Sequence, residues 1–393
     1  VAIALMRFIL VGVDFGDRDF PDSFAELRLL AESAGAEVVH ESISKRARPD
    51  AALFVGSGKA EELAVLVKSL SADGLIFNHA LTPAQQRNLQ KVFSARVIDR
   101  TTLILDIFAL RAQSHEGKLQ VELAQLRHLS SRLVRQWSHL ERQKGGVGMR
   151  GPGEKQLELD RRMLDARVKR LTADLARLQK QRDTQRRART RGGVFKVSLV
   201  GYTNAGKSTL FNQLTHAGVY SADQLFATLD TTTRRVYLGD GIQISLADTV
   251  GFIRELPHQL VEAFKATLEE TVHADLLLHV IDGASESRDV QIAQVESVLA
   301  EIGAHAIPRI HVLNKIDLTG VPPRWRDLSE TGGAALGEVY LSAQSGVGLD
   351  LLRTQLLALA ATHQARVGEP VAETPVVPAG ELHSTGISLG SSL

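Results

Sequence analysis

The chain has 393 residues, 46 Lys and Arg against 45 Asp and Glu, a formal net charge of +1 and no cysteine. Disulfides and thiolate metal sites are therefore excluded, as is nucleic-acid binding driven by bulk charge; any such affinity must come from local clustering. A hydrophobic fraction of 44% supports real cores, and the length predicts two or three domains.

The 13 histidines are scattered without ligand spacing, which predicts surface and capping roles. The lack of cysteine fits a reducing cytosol, so a cytoplasmic chain is expected, with peripheral membrane association left open. Val1–Met6 is apolar but has no basic segment before it, and Arg7 interrupts it ahead of Phe8–Val13. That second run reads as a strand, not a signal peptide, and no segment reaches the ~18 apolar residues of a membrane span.

Residues 1–115 alternate apolar runs (Phe8–Val13, Glu37–His40, Leu53–Val55, Leu75–Phe77, Arg96–Ile98) with helical patterns at Ser23–Ala34, Lys59–Ser71 and Pro83–Val92. The alternation predicts a small α/β domain on a largely parallel sheet. Within it, Gly56-Ser57-Gly58-Lys59 has the composition of a phosphate loop without the full spacing, and a plain strand-to-helix turn is preferred.

Residues 116–192 carry two apolar seams. Leu119, Leu123, Leu126, Ser130, Leu133, Trp137 and Leu140 follow alternating four- and three-residue steps, and Leu157, Leu164, Val168, Leu171, Leu175 and Leu178 resume the stripe. Narrow seams of this kind predict an antiparallel, coiled-coil-like helical hairpin. Its break, residues 144–153, holds five glycines and one proline and reads as a non-helical, flexible tip; the first arm should be roughly 35 Å long. Residues 150–191 contain 14 Lys and Arg against 6 Asp and Glu, ending in Arg186, Arg187, Arg189 and Arg191. Such a run serves either as a solvated face or as a backbone-contacting RNA surface. Its single sign and the Lys144 and Arg150 of the tip favour RNA.

Over residues 193–364, strands are expected near Phe195, Arg234, Ile242, Leu276, Arg309 and Val339, with Gly239-Asp240-Gly241 as a hairpin turn. Helical patterns begin near Lys207, Pro257, Glu286 and Gly346, which predicts an α/β domain on a mixed six-stranded sheet. Residues 365–393 are Pro-, Gly- and Ser-rich and read as a disordered tail.

Five stretches in this third segment point to a guanine-nucleotide pocket. Gly201-Tyr202-Thr203-Asn204-Ala205-Gly206-Lys207-Ser208-Thr209 lies between a strand and a helix, where backbone N–H groups and the helix N-terminus face phosphate. Lys207 would reach the β- and γ-phosphates, and the Ser208 hydroxyl would ligate Mg²⁺. Asp248-Thr249-Val250-Gly251 offers a carboxylate to Mg²⁺ through water and the Gly251 N–H to the γ-phosphate. Asn314-Lys315-Ile316-Asp317 offers the Asp317 carboxylate to N1–H and the N2 amino group of guanine, a donor pair that adenine lacks. Ser342, Ala343 and Gln344 would close the base pocket with N–H groups near O6. In Phe226-Ala227-Thr228-Leu229-Asp230, Thr228 is the best second Mg²⁺ hydroxyl, with Thr231, Thr232 and Thr233 as competitors. The set predicts that the third segment is a P-loop GTPase domain, with Lys207, Thr228 and Gly251 as the expected catalytic residues. Phe252 stands where many such GTPases carry a water-orienting glutamine, which predicts slow intrinsic hydrolysis. Asn204 either helps hold a monovalent cation such as K⁺ against the phosphates or is simply tolerated in a tight turn.

The chain resembles the HflX-type GTPases of the Obg-like branch over roughly residues 8–361. Further carriers are Leu81–Leu89, Val97–Phe108, Glu116–Leu126, and the glycine-rich tip followed by Glu154-Lys155-Gln156-Leu157-Glu158. The resemblance implies a monomer that binds GTP or GDP and the large (50S) ribosomal subunit. It further implies ribosome splitting under stress and GTP hydrolysis stimulated by the ribosome, with 23S rRNA met by the basic hairpin. It also supplies Thr228 as the Mg²⁺ threonine and Phe252 as the replacement for the catalytic glutamine. A role as an rRNA-binding assembly factor, with GTP timing release, is the alternative.

Overall fold

The computed structural model describes residues 5–143, 152–190, 193–215, 225–226, 228–254, 265–331 and 333–368. The first apolar run becomes β1 (Arg7–Asp14), in a four-stranded parallel sheet with β2 (Glu37–Lys45), β3 (Gly74–Phe77) and β4 (Arg96–Asp99), ordered β2-β1-β3-β4. β1 and β3 are buried almost throughout, as strands covered by helices on both faces must be. The crossovers run through α1 (Phe20–Ser33), α2 (Ser57–Ser69) and α3 (Pro83–Phe93).

Two local expectations fail here. Leu53–Val55 is no strand: the Asp50 carboxylate accepts the Ala52 and Leu53 N–H groups at 2.9 and 2.7 Å, and this side-chain turn curls the chain. The turn leads straight into α2, where Lys59 pairs with Glu62 at 2.7 Å. The other miss is α4 (Arg100–Arg111), whose apolar run Leu103–Leu110 is broken only by Asp106 and whose start is capped by Asp99, accepting the Thr102 N–H at 3.0 Å.

The predicted helical pair is α5 (His115–Gln143) and α6 (Pro152–Thr190). At 1.5 Å per residue α5 is about 43 Å long, more than expected, because the helix runs to the edge of the glycine segment. Pro152 opens α6, so the non-helical break ends earlier than predicted, as suits proline in a first helical turn. The rest of the tip, 144–151, lies outside the described residues. On α6 the covered side chains among those described are Leu164, Val168, Leu171, Leu175 and Leu178 of the predicted stripe, together with Asp174, and Leu171 is fully buried. On α5 burial near the root moves to Val121, Leu123 and Ala124, because α3 and α4 pack there. Arg132 of α5 donates to Asp99 at 2.5 Å, and Arg167 bridges the arms to Glu122 at 2.7 Å.

The second sheet has the order β10-β11-β9-β8-β5-β7-β6. All six predicted strands are present: β5 (Phe195–Gly201), β6 (Thr232–Gly239), β7 (Ile242–Asp248), β8 (Leu276–Asp282), β9 (Arg309–Asn314) and β11 (Ala335–Tyr340). A short seventh, β10 (Arg324–Asp327), pairs antiparallel at the edge, too polar to have been read as a strand. β6 and β7 form the expected hairpin, with Asp240 and Gly241 at φ 50° and 75°, as a two-residue turn of this hand requires. The flanking helices are α7 (Lys207–Thr215), α8 (Lys265–Val272), α9 (Arg288–Glu301), α10 (Ile316–Thr319) and α11 (Leu349–Gly368). α11 extends four residues beyond the expected limit at 364, and residues 369–393 lie outside the described set.

One hydrophobic cluster joins the two sheets: Phe8, Leu27 and Phe108 from the N-terminal half share it with Val200, Phe226 and Phe252. No described helix is long and apolar enough to cross a membrane.

Candidate functional site

The motifs converge because each follows the carboxyl end of a parallel strand: residues 201–208 after β5, Asp248 at the end of β7, Asn314 at the end of β9 and Ser342 after β11. Open α/β sheets bind ligands along that edge. Lys207, Ser208 and Thr209 open α7, so the helix N-terminus faces the loop. Asn204 takes φ 59°, which asparagine tolerates better than most residues, and its side chain is exposed. The Asn314 amide ties three loops together, donating to the Ala205 carbonyl and accepting the Ala343 N–H, both at 2.8 Å.

Lys207 is buried, and its ammonium donates to the Tyr202 carbonyl at 2.7 Å. Burial pulls its pKa down to about 8, opposed by the charge of Asp248. Burial likewise pushes the Asp248 carboxyl above the usual carboxylate range, opposed by Lys207, Ser208 and Thr228. The Ser208 and Thr228 hydroxyls lie 2.9 Å apart and donate to the same Asp248 oxygen at 2.8 and 2.9 Å. Thr228 thus stands with Ser208 at Asp248, while Thr232 and Thr233 enter β6 opposite Asp248 and Ala247. The other Asp248 oxygen and the Thr203 hydroxyl are buried without a partner among the described residues. Two hydroxyls, a carboxylate and an orphaned buried oxygen are the hard donors that suit Mg²⁺ with its retained waters. Gly251 passes so close that an added Cβ would stand 2.8 Å from the Lys207 ammonium and 2.9 Å from Thr203 Cα.

At the base end, Asp317 is exposed at the start of α10, while Ile316 is buried behind it. Lys315 donates to Asp282 at 2.7 Å. The Ser342 N–H donates to the Val347 carbonyl at 2.9 Å and the Ala343 N–H to the Asn314 amide oxygen, with Gln344 as the exposed member of that turn.

Several residues expected at the nucleotide turn their side chains to the N-terminal half instead. The Tyr202 hydroxyl donates to buried Glu26 and accepts the Arg254 N–H at 2.7 Å; burial and the Glu26 carboxylate push the phenol pKa up. Phe226 meets Phe108 edge-on at 4.5 Å, and Leu229, Val250 and Phe252 sit in the shared cluster. Thr249 donates to the Leu199 carbonyl at 2.6 Å. Ala227 lies outside the described residues. Asp230 reaches furthest: its carboxylate accepts the Gln113 and Ser114 N–H groups at 2.8 Å and the Ser114 hydroxyl at 2.5 Å, at the root of α5. Gly117 makes room for it, since a Cβ there would stand 2.3 Å from the Asp230 oxygen. Glu26, Arg254, Gln113 and Ser114 carry no sequence signal, because their partners lie far away in the chain.

Phe252 is fully buried. Phe252→Gln is therefore expected to destabilise the fold by about 3 kcal/mol or more without raising the hydrolysis rate, because it trades core packing for a buried amide. Chemical denaturation and a single-turnover assay check both parts.

Three family models match consecutive parts of the chain: "GTP-binding GTPase N-terminal" over residues 21–109, "GTP-binding GTPase Middle Region" over 111–189 and "50S ribosome-binding GTPase" over 196–315. The GTPase HflX of Escherichia coli (strain K12) is 56% identical over 346 residues, covering 88% of this chain and 80% of that protein. The GTPase HflX of Caldanaerobacter subterraneus subsp. tengcongensis is 48% identical over 346 residues, covering 88% and 78%. Among solved structures, the crystal structure of the SsGBP and GDP complex matches at 26% identity with a TM-score of 0.52, covering 91% of this chain and 100% of that one. With identity this high over most of both chains, and the phosphate, Mg²⁺ and base motifs set along one sheet edge, the chain belongs to the HflX family of GTPases.

Proposed function

We propose that the chain binds GTP with Mg²⁺, hydrolyses it slowly when alone, and uses the bound triphosphate to set the pose of its basic hairpin on the large ribosomal subunit. The tip and the arginine-rich arm then meet 23S rRNA, the subunits separate, and ribosome-stimulated hydrolysis releases the protein. The supporting observation is Asp230: a segment carrying the candidate Mg²⁺ threonine, Thr228, also holds the residues just ahead of the hairpin by three hydrogen bonds. The division of labour follows the expected boundaries, with residues 1–115 and 116–192 as ribosome-facing parts and 193–364 as the switch.

In this scheme Lys207 neutralises the β- and γ-phosphates and the Gly251 N–H holds the γ-phosphate. Ser208 and Thr228 present their hydroxyls to the metal. Bound Mg²⁺ supplies charge neutralisation across the phosphate oxygens. No glutamine follows Gly251, and the Phe252 ring is committed to the core, so the attacking water needs a partner's help. If Asn204 holds K⁺, hydrolysis is faster in K⁺ than in Na⁺; equal rates reduce it to a turn residue.

Lys207 gives a pH signature. Its pKa in the free protein is about 8, and bound phosphate raises it. A group raised on binding contributes affinity that is complete below the free value and falls as pH climbs above it. GDP affinity is therefore expected to decline above pH ~8, with proton uptake approaching one per GDP, read by calorimetry in buffers of different ionisation enthalpy.

Sedimentation of intact ribosomes with the protein and a non-hydrolysable GTP analogue tests the whole scheme. Separated subunits are expected with the analogue and not with GDP. Intact ribosomes, with stable binding only to immature large subunits, would favour the assembly role.

A further inference from the structure

Behind the nucleotide edge, three side chains meet that neither GTP chemistry nor hairpin docking uses. His279 of β8 and His311 of β9 are register partners on adjacent parallel strands, and Glu296 of α9 lies over them. One ligand atom from each falls within 4.8 Å of the others. His279 Nδ1 and Glu296 Oε1 are 3.8 Å apart, and the two imidazoles stand edge-to-face with centroids 5.4 Å apart. His279 is 1% exposed. Its Nδ1 and the Nε2 of His311 are buried with no hydrogen-bond partner among the described residues. Two orphaned imidazole nitrogens beside a carboxylate are costly unless something satisfies them.

We propose that His279, Glu296 and His311 form a second metal site, for a borderline divalent ion of the Zn²⁺ class, separate from the nucleotide pocket. Two imidazoles and one carboxylate, with a fourth position left to water, are a recurrent Zn²⁺ donor set; nitrogen donors disfavour Mg²⁺ and Ca²⁺. Tetrahedral bonds of ~2.0–2.1 Å put ligand atoms about 3.3 Å apart, so ligand atoms within 4.8 Å of one another need to close by at most ~1.5 Å. Arg309 acts as an outer support. It pairs with the far Glu296 oxygen and donates to the His305 carbonyl, so Glu296 keeps Oε1 turned toward His279. Burial pulls the pKa of both histidines down, His279 to about 3, so both present lone pairs at neutral pH. The nearby cations Arg309 and Lys207 act against a bound ion, while Glu338 favours it. Partial exposure of Glu296 and His311 gives the ion a way in. Occupancy would pin α9 to β8 and β9, and α9 with its N-cap also supplies Gln291 and Ser287 to the cavity beside Asn204.

The test uses the full chain loaded with GDP in excess Mg²⁺, so that the nucleotide site is filled, with Co²⁺ as a spectroscopic stand-in and Zn²⁺ as competitor. One equivalent of Co²⁺ is expected to give a visible ligand-field band that Zn²⁺ abolishes. Glu296→Gln and His311→Leu should each weaken binding by more than about 100-fold, beyond the effect of losing an outer support, while GDP affinity is unchanged. Zn²⁺ should raise Tm in the parent and not in the variants. No band at stoichiometric Co²⁺, or equal affinity in parent and variants, overturns the site. Should His311→Leu fail to fold, Glu296→Gln decides alone, since its amide retains size and shape. None of these readouts depends on ribosomes or on GTP turnover, so failure here and failure of the proposed function are separable.

Discussion

Asp317→Asn is expected to weaken GDP and GTP binding by about 10⁴-fold and to create affinity for xanthine nucleotides where the parent has little. The exposed carboxylate at the start of α10 has two acceptor oxygens for the N1–H and N2 amino group of guanine. An amide keeps one acceptor for N1–H but turns a donor toward the amino group, leaving two donors opposed. Xanthine carries a carbonyl at that position, so the same amide pairs with it. Because the bonds that hold this loop belong to Asn314 and Lys315 and not to Asp317, thermal stability should not move. Displacement of fluorescent GDP by unlabelled GDP, ATP and XDP reads the effect. A parent protein that takes ATP as well as GTP, or a variant that keeps GDP affinity, would show that Asp317 does not read the base.

Asp230→Ala is expected to separate nucleotide binding from ribosome action. GDP and GTP affinities should be nearly unchanged, because the carboxylate points at the root of α5 and not at Ser208 or Asp248. The ratio of large-subunit affinities with triphosphate and diphosphate should fall by about 5- to 150-fold, the range of coupling energies carried by a single two-state element. Splitting should be lost with it. The three bonds hold two N–H groups and a hydroxyl just ahead of His115, where the helix would otherwise begin unsatisfied. Asp230→Asn keeps an acceptor and should fall between parent and alanine. An alanine variant that splits ribosomes at the parental rate would place the coupling elsewhere, for example in the Arg254 contacts to Asp19 and Asp22.

Much of this site was legible in the chain because its parts are contiguous. Gly201–Thr209, Asp248–Gly251 and Asn314–Asp317 each fit within one loop, and strand alternation alone puts those loops on one edge. The hairpin was legible for a similar reason: the spacing of Leu164, Val168, Leu171, Leu175 and Leu178 fixes one covered stripe whatever it packs against. What escaped depends on partners distant in sequence. Tyr202 lies in the phosphate loop, yet its hydroxyl belongs to Glu26, and Asp230 follows the switch threonine yet caps a helix over a hundred residues earlier. The three metal-competent side chains escaped too, because adjacent parallel strands bring His279 to His311 across more than thirty residues. Leu53–Val55 misled for the opposite reason: a short apolar run looks like a strand until the Asp50 carboxylate pulls it into a turn.

The most direct measurement is the affinity of the chain for isolated large ribosomal subunits, taken once with a non-hydrolysable GTP analogue and once with GDP. Triphosphate is predicted to tighten binding, with the difference collapsing in Asp230→Ala. Equal affinities in the parent protein would contradict the link between the nucleotide pocket and the hairpin.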